Sequence, residues 1–247
     1  MKMKKYLLAA TMLACLANAA STAAMAAPLS EEQLVSRLQQ LAGRGDAEAN
    51  YHLGMLYNNG IGVPKDPQRA YRSFAAAAAA GDALAAYKVG CYLAGQFPGA
   101  VPPDAEQALA QKLRAAEAGY ALAQSDVAAI YLQRSMPAEG QRWMQRAADQ
   151  GYPQALFNLS VGHVKGLWPE ADPALGYAYF KLAKLASEGE LNARAKASLD
   201  ELKQSLSPEQ MKRAEALAAS WRANPSELTI KARGGLAAAH SLAARAN

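Results

Sequence analysis

The chain has 247 residues, 51% of them hydrophobic and only 7% aromatic, with 26 basic against 21 acidic side chains. Alanine, the strongest helix former, is conspicuously common, so composition points to an all-helical protein of one or two ordinary domains. Two cysteines are too few for a disulfide framework, and the modest charge excess gives no support for nucleic-acid binding.

The chain opens with a basic stretch, "MKMKK", followed by the apolar run "YLLAATMLACLA" and the small-residue site Ala24-Met25-Ala26. This is the pattern of an export signal, cleaved after residue 26 to leave Ala27 first. Asn18, Ser21 and Thr22 interrupt the apolar run, and no charged flank follows, which argues against a membrane anchor. Met12-Leu13-Ala14-Cys15 is a looser match to a lipoprotein site and leaves anchoring through Cys15 as the alternative. Removing Lys2, Lys4 and Lys5 with the signal leaves 23 basic against 21 acidic residues, nearly neutral, and Cys91 as the single cysteine. The expected location is the periplasm, with no transmembrane segment after cleavage.

Ser30 followed by Glu31-Glu32-Gln33 is a capping box, and it predicts a helix through residue 44 that caps the N-terminal end of the fold. From there the sequence repeats. Glycines at 45, 81, 119, 151 and 189 are spaced 36, 38, 32 and 38 residues apart. Four residues after each stands alanine (Ala49, Ala85, Ala123, Ala155, Ala193). Nine after stands a small residue (Gly54, Gly90, Ala128, Ser160, Ser198), and three before stands alanine again (Ala42, Ala78, Ala116, Ala148, Ala186). Offsets of 4, 8 and 9 share one helical face, so each period reads as a hairpin. Helix A follows the glycine and helix B precedes the next one. The glycine ends helix B in a left-handed conformation, and Asp46 and Asp82 behind it cap the next helix A. Asp66-Pro67, Asp104 and Asp172-Pro173 fit as starts of helix B.

The loop "YNNGIGVPKD" joins the two helices of the first hairpin. A phosphate loop needs Gly-Lys followed by Ser or Thr after a strand, whereas Lys65 here is followed by Asp66 and preceded by a helix. Four such units are expected over 45–188, a capping helix over 27–44 and a capping helix pair over 189–224, restarting at Ser207-Pro208 and stopping at Asn224-Pro225. Past Pro225 the register fails, and 225–247 reads as a short loose helix or a flexible tail.

The segment "AEANYHLGMLYNNGIGVPKDPQRAYRSFAAAAAAGDALAAY" resembles the Sel-one-like repeat, a relative of the tetratricopeptide repeat. The likeness covers most of 30–222 and is weakest over 120–150, where the loop is shortened. It implies an all-α, right-handed superhelical solenoid of antiparallel helix pairs, with A helices lining a concave face. It also implies an adaptor, scaffold or regulator that binds a protein or peptide partner in the cell envelope. One branch of its use is an immunity protein that neutralises a secreted, periplasm-acting effector such as a lipase. A cysteine-rich branch, to which lactam or cell-wall hydrolysis is attributed, needs paired cysteines that this chain lacks.

Catalysis finds little material. His52 falls in a polar, variable column and reads as surface; His163 shares the column of Tyr57 and Tyr131 and reads as packing; no nucleophile or metal motif is present. The reading is a non-enzyme with no cofactor and no metal. By analogy with related repeats, offsets 3, 6, 10, 13 and 14 look into the groove. The candidate contact residues are therefore Tyr51, Met55, Asn58, Asn59, Tyr87, Cys91, Leu122, Gln133, Phe157, Val161 and Lys165. Trp168, in the loop "GLWPEAD", is a candidate second contact; Trp221 closes the last helix.

Overall fold

In the computed structural model, residues 29–187 and 193–245 are described, and among them every regular element is a helix. The export signal, Cys15 and Gly189 lie outside the described residues. The capping helix is α1 (Glu31–Gly43). Four hairpins follow: α2 (Ala47–Asn59) with α3 (Pro67–Ala79), α4 (Ala83–Leu93) with α5 (Ala105–Glu117), α6 (Ala121–Gln133) with α7 (Pro137–Asp149), and α8 (Pro153–Val164) with α9 (Pro173–Ala186). Beyond them stand α10 (Ala193–Ser205), α11 (Pro208–Ser220), α12 (Glu227–Arg233) and α13 (Gly235–Arg245). Through the hairpins each helix packs chiefly on the one before and the one after it, which makes the chain an all-α repeat solenoid.

The local chemistry explains the boundaries. Gly45, Gly81, Gly119 and Gly151 all have positive φ, between 77° and 97°, where a side chain would be strained. The Asp46, Asp82, Asp66, Asp104 and Asp172 carboxylates each accept a backbone N–H in the first turn of the helix they precede. Ser30 with Gln33, and Ser207 with Gln210, form reciprocal capping boxes. In the third hairpin the small columns meet: a methyl group on Gly140 would lie 3.2 Å from the Ala128 carbonyl oxygen. Helix A and helix B approach closely there, and in the second hairpin a methyl group on Gly90 would lie 2.9 Å from the Ala108 carbonyl oxygen.

The core runs the length of the stack. Leu34, Leu38, Phe74 and Leu84 fill its first part, and Met144, Leu156, Leu159 and Leu182 its last, each with almost no exposure. Each such side chain contributes about 1.5–3 kcal/mol by leaving water. Aromatic side chains join the columns: Phe74 packs 6.0 Å from both the Tyr51 and the Tyr92 ring, and Tyr92 stacks on Phe97 at 4.1 Å.

The loop at residues 60–66 is a strut. The Gly62 N–H donates to Glu31 Oε2 at 3.1 Å, and the Asp66 N–H donates to the Tyr57 carbonyl at 2.9 Å. A methyl group on Gly62 would lie 2.6 Å from the Glu31 backbone, so only glycine lets the loop touch the capping helix. The loop's N–H group is thus engaged by a carboxylate of the same chain.

Three features depart from the sequence reading. His52 is 4% exposed instead of lying on the surface, because α13 comes to rest beside its helix. Trp168 is 5% exposed: its indole N–H donates to the Leu159 carbonyl at 3.1 Å and its ring fills the space beside Gly162. It closes the fourth hairpin and presents no second contact. The segment after Pro225 carries no repeat register, yet it forms α12 and α13. Ser226 caps α12 by accepting the Thr229 N–H at 3.0 Å, and α13 packs on α1 and α2.

Candidate functional site

The groove side of the A helices is built by offset columns, and the structure divides the candidate residues into three groups. The first lies on α2. Tyr51 is buried, Met55 is half-buried and Asn59 is exposed; together with His52 and Ile61 they line a cleft whose other wall is Ala232, Leu236 and Ala239 of the C-terminal segment. Asn58 stands beside them and accepts the Tyr92 hydroxyl proton at 2.8 Å, tying α2 to α4.

The second group is interior. Tyr87, Cys91 and half-buried Leu122 belong to one apolar cluster between α4, α5 and α6. The Tyr87 hydroxyl donates to Asp126 Oδ2 at 3.2 Å, and its ring meets Tyr120 edge-on at 5.2 Å. Lys112, 5% exposed, reaches the same carboxylate at 2.7 Å and lies 5.8 Å above the Tyr87 ring. Burial pushes the Tyr87 hydroxyl and the Cys91 thiol up from their ordinary values, so both stay protonated at neutral pH. A buried protonated thiol is a packing group.

The third group is open. Phe157 is 42% exposed, and its ring meets Phe180 at 6.1 Å. Val161 is half-buried and Val164 is 44% exposed, so positions 157, 161 and 164 make an apolar stripe along α8. Lys165 is exposed at the C-terminal end of α8, where a cation suits the helix dipole, and Gln133 is exposed at the end of α6.

Two of the three histidines, His52 and His163, are buried in the packing. His163 is 3% exposed; its Nδ1 accepts the Asp172 N–H at 3.2 Å, and its ring stacks on Tyr179 at 5.7 Å. Burial holds it below the ordinary imidazole value, against the pull of Asp172. His52 is held down the same way; Glu48 and Asp82 oppose that shift and Lys231 adds to it. No cluster of metal-ligating side chains occurs among the described residues.

Sequence columns missed a polar group at the turns. Gln150 is 7% exposed and donates to the Gly119 carbonyl and to Gln124 Oε1. Its own Oε1 accepts the Ser226 N–H at 3.0 Å and the Thr229 hydroxyl at 2.7 Å. The available signal was the cap pattern Ser226-x-x-Thr229 after Pro225.

Comparison with known proteins places these features. The family model described as Sel1 repeat matches residues 47–82, 83–120, 121–152 and 153–187, each match beginning two residues after a turn glycine. Among solved structures, a Sel1 repeat protein from Oxalobacter formigenes aligns over 85% of this chain and 91% of its own, at 19% identity and a TM-score of 0.61. The immunity protein Pa5087 from Pseudomonas aeruginosa aligns over 62% of this chain and 73% of its own, at 22% identity and a TM-score of 0.36. The c5321 protein of uropathogenic Escherichia coli, a protective antigen, aligns over 83% of this chain and 59% of its own, at 20% identity and a TM-score of 0.32. The first of these shares the solenoid fold; the other two share too little overall geometry to carry more.

Proposed function

This chain belongs to the Sel1 repeat family, and on that premise we propose that it is an exported, periplasmic, non-catalytic protein that holds a protein or peptide partner on the face of its A helices. Repeats of this kind present a surface that is already folded, so little ordering is lost when a partner docks. The observation that carries the reading is the apolar stripe on α8: Phe157 and Val164 are exposed, about one and three turns along a helix whose other face is buried. A partner covering that stripe gains the burial of an aromatic ring and two valines, the kind of anchor that dominates protein interfaces. The positions of His52 and His163, both buried in packing, support a role other than proton transfer.

The export assignment rests on the leader pattern of residues 1–26. Fractionation of cells, with N-terminal sequencing of the purified protein, should find it in the periplasmic fraction starting at Ala27. A protein that keeps Met1, or stays in the cytosol, removes that part of the reading.

The binding reading is tested by affinity capture. Tagged mature protein is incubated with envelope extract, and the retained proteins are identified by mass spectrometry. The expected result is a specific protein whose recovery falls at least tenfold with Phe157→Asp while circular dichroism is unchanged. Recovery indifferent to Phe157→Asp and Val164→Asp would take the partner off this face. The identity of the captured protein separates a scaffold component from a delivered effector.

A further inference from the structure

The C-terminal segment leaves the order of the stack. After α11 the chain returns along the turns between hairpins: the Asn224 N–H donates to the Asp149 carbonyl, and Ala223 sits on Gly151. Ser226 sits on Gly119 and donates its hydroxyl proton to that residue's carbonyl at 2.8 Å. Thr229 accepts the Ala121 N–H at 3.0 Å, and Lys231 reaches Glu48 at 3.4 Å. Helix α13 then lies on α2 and α1, about two hundred residues upstream.

The receiving surface is shaped for this segment. A methyl group on Gly151 would stand 2.7 Å from Ala223 Cβ, and one on Gly119 would stand 3.1 Å from Ser226 Cβ. At the equivalent Gly45 and Gly81, where the segment does not pass, nothing lies within 4 Å. Gln150 and Gln124 form a buried polar ledge, and Gln150 Oε1 is satisfied by two donors of the segment. The apolar part is thinner. Of α13 only Ala239 and Ala243 are buried, and Leu236 is 40% exposed. Small side chains leave the cleft over Met55 and Ile61 partly unfilled, and His52 Nε2 borders it without a hydrogen-bond partner among the described residues, 3.7 Å from Glu48 Oε1.

We infer that this surface is a receptor site for an alanine-rich helix introduced by a Ser-x-x-Thr cap, that residues 224–245 fill it in cis, and that an incoming helix of the same pattern binds by displacing them. The polar ledge fixes the register of the entering chain through the serine and threonine, and the α2 cleft takes the apolar side chains at the positions of Ala232, Leu236 and Ala239. The cis segment holds the site with paired polar groups at Ser226 and Thr229 but modest apolar burial, and His240 Nδ1 of α13 is buried without a hydrogen-bond partner among the described residues, which suits an occupant that has to leave. A partner helix with leucine in place of Ala232 would bury more against Met55 and Ile61 than the segment does. The inference rests on the reading of the A-helix face as a binding surface, but it concerns α2 and the turns and not the stripe on α8.

The probe is a fluorescein-labelled synthetic peptide of residues 224–245, read by anisotropy against the full mature chain. The unmodified chain should bind it weakly, because the site is filled. The Thr229→Ala/Ala239→Asp chain, with its own segment loosened, should bind it at least tenfold more tightly. A peptide carrying Thr229→Ala should lose that gain, and one carrying Ala232→Leu should exceed it. Amide exchange on the unmodified chain is the second measurement: residues 227–245 should exchange faster than α4, and faster still when excess peptide is added. Failure of the loosened, still helical chain to bind the peptide overturns the inference, as does exchange of 227–245 only together with α4. Either failure leaves capture through Phe157 intact, so the two readings fall separately.

Discussion

Tyr51 and Phe157 occupy the same position in two hairpins, six residues after the turn glycines Gly45 and Gly151. One is 9% exposed and the other 42%. The offset decides which side of helix A a residue occupies, and each aromatic meets a phenylalanine on helix B of its own hairpin, Phe74 at 6.0 Å and Phe180 at 6.1 Å. What covers that side is decided elsewhere. Over α2 it is covered by a segment outside the repeat, whereas over α8 it meets Phe180 and then solvent. A repeat gives every unit the same potential surface, and its non-repeating ends determine which units keep that surface open.

Substitutions of matched residues test whether this contrast is energetic. Phe74→Ala, in the covered half, should destabilise the chain by about 3–5 kcal/mol, since the ring is fully buried between Tyr51 and Tyr92. Phe157→Ala should cost less than about 1 kcal/mol, as surface truncations do. Urea unfolding followed by circular dichroism measures both, and equal losses would break the comparison. Next in size is the junction between the halves. Asp126→Ala leaves the Lys112 ammonium buried without its carboxylate and should cost about 3 kcal/mol. Glu106→Ala, which breaks the exposed pair with Arg134, should change stability by less than about 0.5 kcal/mol in the same assay.

The repeat itself was legible because it is written in residues that permit one thing. Glycine at 45, 81, 119 and 151 marks a left-handed turn, aspartate at 46, 66, 82, 104 and 172 marks a helix start, and small residues at 128 and 140 mark a close crossing. Each is a local constraint, and each recurs. The binding surface was less legible because exposure is a long-range property. His52 sits in a column filled elsewhere by Lys88, Asp126 and Asn158, all half-buried, and nothing near it in sequence announces that α13 arrives on top. Trp168 stands two residues after the loop glycine Gly166 and just before Pro169, a context that looks like surface, yet the gap beside Gly162 admits its ring. Alanines in α13 gave no signal of their own, because in a chain this rich in alanine they are indistinguishable from background.

The tether between the covering segment and the stack can be weakened without touching either apolar wall. Thr229→Ala removes an acceptor for the Ala121 N–H and a donor to Gln150. The expected cost is about 1–2 kcal/mol, because the N–H and the carbonyl oxygen are left in a buried site with fewer partners. It should appear as faster amide exchange across 227–245 with α8 and α9 unchanged. Acceleration of the whole chain would mean that the segment is part of the global folding unit, and the contrast between covered and open halves would then be one of degree.

The smallest expected effect comes from protonation, and it distinguishes the halves by position. His52 and His163 are both held below the ordinary imidazole value of 6.5 by burial, so the folded chain binds these protons less readily than the unfolded one. Where the unfolded state binds more protons, stability increases with pH. The contribution of each histidine is therefore fully present above about pH 6.5 and is lost as the pH falls through the depressed folded value, at no more than about 1.4 kcal/mol per pH unit. The consequences differ in place. A proton on His52 puts a charge into a site stripped of water under α12 and α13, a cost to which Lys231 adds and which Glu48 and Asp82 oppose without cancelling, so the covering segment should loosen first. A proton on His163 Nδ1 removes the acceptor for the Asp172 N–H and should loosen the start of α9. Amide exchange compared at pH 7.5 and pH 5.5, corrected for the intrinsic rate, should speed up at both places in the unmodified chain. In His52→Gln it should speed up at the start of α9 alone. If acid response at 227–245 persists in that variant, the covering segment is held against acid by something other than the neutral imidazole beneath it, and the cleft over α2 is not the point at which pH acts.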